Sequence, residues 1–129
     1  MGFLLRQTAV VDAVFQGLVS AGEIRDWLEG IETLLKAEQP FYFVSCTLAG
    51  TEFDEDYRAI QALWYKQYKP AFRNHCRGIV RVARDAAEQA RLDTPALHAA
   101  WGVPYFVTQD KTQGYQWIAQ RMVNDETQC

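Results

Sequence analysis

Basic side chains gather in one stretch of the chain, at Lys66, Lys69, Arg73, Arg77, Arg81 and Arg84. Residues 66–91 hold seven basic and two acidic side chains, whereas residues 1–65 hold four basic and ten acidic. The ordinary fate of such a run is a solvated or ion-paired surface. Lys66, Lys69 and Arg73 share one side of a helix, and Arg77 and Arg81 alternate with Ile79 on one face of a strand. Arg81 stands out because it interrupts the apolar segment Gly78–Val82, and an unpaired buried cation is costly. It therefore pairs with an acid, lies on a sheet edge, or lines a cleft that accepts anions. The sharper reading makes Trp64, Lys69, Arg73 and Arg81 the contact residues for an acidic headgroup or a partner protein. The overall net charge of −3 and the acidic flanks argue against nucleic acid as that partner.

Other reactive side chains are less suggestive. Asp54, Glu55 and Asp56 are adjacent, and neighbours on a helix point about 100° apart, so they read as a solvated helix start and not as a metal or acid–base site. His75 and Cys76 enter a strand together and diverge, which argues against a nucleophilic pair, and Cys46 reads as core. No metal-ligand spacing, glycine-rich phosphate loop, GxSxG elbow or HExxH is present. No metal, cofactor or catalytic activity is expected on these grounds. An enzyme would need a cleft in which Arg81 converges with His75 or His98.

The elements that must hold these residues follow from periodicity. Val11, Ala13 and Phe15 alternate in a strand over 10–16, and residues 3–7 are a candidate antiparallel partner for it. Ser20-Ala21-Gly22-Glu23 is a capping box. It opens a helix whose apolar stripe is Ile24, Trp27, Leu28, Ile31, Leu34 and Leu35, closed by Gln39-Pro40. Phe41–Cys46 is apolar on both faces, as a central parallel strand must be. Asp54, Glu55 and Asp56 open a second helix with Tyr57, Ile60, Trp64 and Tyr68 inward and Leu63 alongside, and Pro70 should end or kink it near Lys69. Gly78–Val82 is the next strand and 85–92 a weak helix. Thr94-Pro95 starts a short helix stopped by Gly102. Pro104–Val107 is a strand. A last helix follows Asp110 with Tyr115, Ile118, Ala119, Met122 and Val123 inward, leaving 124–129 as a frayed tail. This alternation predicts an α/β fold with a mostly parallel sheet of four or five strands.

The 129 residues, 49% apolar and 22% charged, suit one domain spanning 1–129. No apolar run reaches the length of about 20 residues that crosses a bilayer. Three cysteines (Cys46, Cys76, Cys129) cannot form a closed disulfide framework. With no signal peptide at the start, they point to the cytoplasm.

The element order, together with Gly17-Leu18-Val19-Ser20, Trp64-Tyr65, Cys76–Val82 and Gln116-Trp117-Ile118, resembles the STAS (sulphate transporter and anti-sigma-factor antagonist) superfamily, and within it the SpoIIAA-like, or STAS/SEC14-like, branch of small bacterial proteins. The resemblance spans roughly residues 9–123. It implies a β-α superhelix and, for the regulatory members, a partner kinase or anti-sigma-type regulator, with a switch serine at the start of the second helix. At the family's spacing that serine position is occupied by Asp54, so no hydroxyl is available and the charge is permanent. Thr51, the nearest hydroxyl, reads as a loop residue or cap. The resemblance therefore implies a non-enzymatic regulatory or binding module acting through protein–protein contact, with a homodimer among its arrangements. The alternative is a carrier or sensor of a small lipophilic or anionic ligand, held between the second helix and the later helices.

Overall fold

The computed structural model describes residues 2–125. In chain order the elements are β1 (Ala9–Phe15), β2 (Leu18–Val19), α1 (Ala21–Lys36), β3 (Phe41–Thr47), β4 (Glu52–Phe53), α2 (Tyr57–His75), β5 (Cys76–Val82), α3 (Ala86–Leu92), α4 (Pro95–Trp101), β6 (Tyr105–Thr108) and α5 (Lys111–Asp125). This is an α/β fold. Its main sheet runs β1-β3-β5-β6 with every pairing parallel, and β2 and β4 make a separate two-stranded parallel pair.

Strand order follows chain order, so successive right-handed crossovers place their helices on the same side of the sheet. Phe41, Phe43, Ile79, Tyr105 and Val107 meet Ile31 and Leu35 of α1, Phe72 of α2, and Leu92, Leu97 and Trp101 beyond them. The alternate residues of the same strands, Tyr42, Val44, Cys46, Val80 and Val82, meet Ile118, Trp117 and Met122 of α5. All seven residues of β3 are buried, which explains its run without polar alternation. Gly114 lets α5 lie close, since a Cβ there would come within 2.7 Å of Val80 Cγ1.

The capping box of α1 forms as the sequence predicts. Ser20 Oγ accepts from the Glu23 backbone N–H at 3.1 Å, and Glu23 Oε1 accepts from the Ser20 N–H at 3.1 Å. Several expectations need correction. Residues 3–7 form no strand. Gln39 Nε2 donates to the Gln7 carbonyl at 2.9 Å and Ala9 N–H to the Pro40 carbonyl at 3.0 Å, so the chain here is tied to the start of β3 and does not turn back along β1. Pro70 does not end α2, which continues to His75 because Phe72, fully buried in the core, holds the last turns. Leu63 faces solvent and not the core. On α5 Ile118 and Met122 do turn inward, but Tyr115, Ala119 and Val123 are exposed, and Gly114 and Trp117 take the sheet side instead. Finally, Arg77 does not share a face with Arg81. A β-bulge shifts the register between Phe41 and Tyr42 so that Phe41 pairs with Cys76 and Tyr42 with Gly78. Arg77, the extra residue, lies beside Tyr42, Met122 and Asp125 on the α5 side. Of the expected frayed tail, Asn124 and Asp125 belong to α5, and the remainder lies outside the described residues.

Candidate functional site

The two ends of the α1–α4 face differ. Near the N-terminal ends of the strands it is apolar, with Phe41, Phe43 and Ile79. One pleat further on, the side chains become Ser45, Thr47 and Arg81. Register places Ala13, Ser45, Arg81 and Val107 in one row across the four strands. Above this polar row the helices part, because α3 and α4 have only seven residues each and do not close over the strand ends. The result is a cleft of about 830 Å³ floored by Phe43, Ser45, Thr47 and Arg81.

Its walls come from three directions. Trp27 of α1 packs edge-on to Phe15 with ring centroids 5.2 Å apart. From α2 come Tyr57, Gln61 and Tyr65, one residue per turn, with Arg58 and Ala62 beside them. This is a second stripe of α2. The predicted stripe therefore divides: Tyr57 turns to the cleft, while Ile60, Trp64 and Tyr68 pack toward α1, where Trp64 Nε1 donates to Glu32 Oε1 at 2.8 Å. The far wall is Leu97, Ala100 and Trp101 of α4. It is fastened to α2 by a residue of the cleft wall, the Tyr65 hydroxyl donating to the Trp101 carbonyl at 2.7 Å, and by one outside it, Arg73 Nη2 donating to the Ala100 carbonyl at 3.2 Å. Gly102, at φ 67°, ends α4 directly against the Arg73 guanidinium; only a residue without a Cβ suits that conformation and that contact.

Four arginines (Arg58, Arg81, Arg84, Arg91) border the cleft against a single carboxylate, Glu88. That carboxylate is already committed. Arg84 Nη2 lies 2.8 Å from Glu88 Oε2, and Arg91 Nη2 lies 3.8 Å from it. The Arg84 backbone N–H also donates to Glu88 Oε1 at 3.0 Å. Arg81 has no ion-pair partner among the described residues. Its neutral neighbour is Tyr105. Burial pushes that phenol above its ordinary value, and the Arg81 charge together with a hydrogen bond from the Arg81 side chain pulls it back, while the phenol O–H is donated to the Leu92 carbonyl at 2.9 Å. The indole N–H groups of Trp27 and Trp101, both bordering the cleft, are buried without a hydrogen-bond partner. The cleft is thus aromatic and positively charged.

The candidate contact residues do not converge. Arg81 is in the cleft. Arg73 is the strap between α2 and α4, Trp64 is packed between α1 and α2, and Lys69 is exposed on the outside of α2. Asp54 stands between β4 and α2, where its Oδ1 accepts from the Asp56 N–H at 2.9 Å. The acidic trio forms the turn before α2 and not its first turn. Thr51 is buried and donates to the Leu48 carbonyl at 2.6 Å. His75 and His98 lie outside the cleft, His98 being held to Asp93 at 2.7 Å. Burial pushes the Cys76 thiol up to about 12, so it stays protonated and is a poor nucleophile. Among the described residues no group of three His, Cys, Asp or Glu could hold a metal ion, and no helix is long and apolar enough to cross a membrane. The cleft residues that sequence reasoning missed include Ser45, Thr47, Gln61 and Tyr65, and Tyr57 was expected in the helix core and not in a cleft. The available signal was Gln61 lying one turn from two tyrosines, which marks a face neither fully wet nor fully packed.

Compared with protein-family models, curated proteins and solved structures, the chain matches none.

Proposed function

We propose that the protein is a binding module for a small amphipathic anion, its acidic group held at Arg81 and its apolar body lying among the aromatic walls. The observation that carries this reading is Arg81 itself, a half-buried cation without a counter-charge on the floor of an apolar cleft. An uncompensated cation at such a place is unfavourable in the empty protein, and an incoming carboxylate or phosphate removes that penalty. A cleft of about 830 Å³ falls within the roughly 300–1,000 Å³ typical of small-molecule sites. Ser45 and Thr47 add hydroxyls on the same floor. No pair of side chains in the cleft is arranged as a nucleophile with its base, which favours binding over catalysis.

The test has two arms. Native mass spectrometry of freshly purified protein should reveal a co-purifying lipophilic acid. Titration with decanoate and with decanol, read by tryptophan fluorescence, should show the acid binding about 10–100-fold more tightly, the equivalent of one charge-assisted hydrogen bond at about 1.5–3 kcal/mol. Arg81→Met should erase that preference. Equal affinity for acid and alcohol in the unaltered protein would overturn the role given to Arg81.

A second reading, the partner-docking module of the STAS-like resemblance, is favoured by Leu18, an exposed leucine in β2, one strand away from Asp54. Bare protein in the mass spectrum, with a stable partner recovered by pull-down and lost on Asp54→Ser, would move the assignment to this reading.

A further inference from the structure

The main sheet ends at β1, and β1 is covered on one face only. Val11 and Ala13 pack under the helices of the α1–α4 face. Val10, Asp12 and Val14 point to the opposite face, where α5 reaches only Asp12, through Lys111 Nζ at 2.5 Å and the Tyr115 hydroxyl at 3.2 Å. Val10 and Val14 are left 41% and 48% exposed. Parallel sheets ordinarily have both faces covered, and an uncovered edge strand with valines outward is a site for further pairing. The same chain carries an unspent apolar segment just before β1. Phe3, Leu4 and Leu5 are 83%, 71% and 81% exposed. This segment does not pair with its own β1: Gln7 is held to Gln39 in both directions, Ala9 is bonded to Pro40, and residues 3–5 belong to no strand.

From this geometry we infer that the protein forms a two-fold symmetric dimer in which the residue 3–5 arm of each copy lies on the Val10–Val14 face of the other, with the two β1 edges facing. A second copy is the occupant because the molecule carries both halves of the contact, a protruding apolar arm and a receiving strand face. A two-fold axis satisfies both at once. Covering the exposed parts of Phe3, Leu4, Leu5, Val10 and Val14 on both copies removes on the order of 1,200 Å² from water, the lower bound for a specific interface. The inference is independent of the cleft, which opens on the other face of the sheet.

Sedimentation velocity at micromolar concentration tests it with two variants and their mixture. The unaltered protein should sediment as a dimer. Leu4→Ser/Leu5→Ser, altering only the exposed arm, and Val10→Glu/Val14→Glu, altering only the receiving face, should each sediment as monomers with unchanged circular dichroism. An equimolar mixture of the two variants retains one intact arm-on-face contact, so it should regain a dimer of reduced affinity. A monomeric unaltered protein would leave the arm for some other partner and overturn the inference. A dimer that survives the arm variant would overturn it as well, and a mixture that stays monomeric would overturn the exchange of arms.

Discussion

The two faces of the main sheet are built from the same strands yet do different work. On the α5 face, Tyr42, Val44, Cys46, Val80 and Val82 are apolar to the last residue and one helix seals them. On the other face the apolar floor gives way at Ser45, Thr47 and Arg81, and four helices, two of them only seven residues long, leave a cleft above them. Adjacent residues such as Val44 and Ser45, or Val80 and Arg81, therefore answer to different demands. Beyond the bulge, from Tyr42 and Gly78 onward, the even-numbered positions of β3 and β5 hold the fold together. The odd-numbered positions do so only as far as Phe43 and Ile79, and beyond that point they face a space where a ligand could sit.

Substitutions on the two faces should separate accordingly. The largest effect is expected on the sealed face. Ile118→Ala removes a buried side chain from α5 and should cost about 2–5 kcal/mol in chemical denaturation, with decanoate affinity unchanged while the protein is folded. Arg81→Met is the mirror case. It should leave stability unchanged or raise it by about 1 kcal/mol, because an unpaired, partly buried cation is replaced by an apolar side chain of similar length. A loss of several kcal/mol in the denaturation curve would mean that Arg81 has a structural partner and would blur the distinction between the faces. The smallest effect concerns alkaline pH. Burial, and then the Asp125 carboxylate that accepts its O–H at 3.2 Å, push the Tyr42 phenol up to about 12, against about 10 in an unfolded chain. The folded state holds this proton more tightly, so the stability it contributes is complete below pH ~10 and declines as pH rises toward ~12. Tyr42→Phe should flatten that part of the stability–pH profile, measured by thermal melting across the alkaline range.

The elements that build the sheet and its first helix were legible in the sequence because their signals are local. The uninterrupted run Phe41–Cys46, the Ser20–Glu23 box and the i, i+3, i+4 stripe of α1 each specify an element within a few residues. The cleft depended on quantities that no short window contains. Arg81 reaches it through a register set by the bulge at Cys76–Gly78, and a reading by strict alternation put Arg77 on the same face. Ser45 looked like one more member of a core strand, since only the shortness of α3 and α4 leaves space above it. Leu63 was drawn inward by its hydrophobicity although Ile60, Trp64 and Tyr68 already fill the contact with α1. Residues 3–7 had strand-like composition, but the ties from Gln7 and Ala9 to the start of β3 govern where they run.

The strap that joins α4 to α2 has an evolutionary corollary. Arg73 and Gly102 contact each other behind the far wall, so the position of Leu97 and Trp101 depends in part on residues outside the cleft lining. A Cβ at 102 would collide with the Arg73 guanidinium, so that side chain would have to move and its bond to the Ala100 carbonyl with it. Under the binding role proposed above, selection could then retune the cleft through position 102 while every residue facing the guest stays the same.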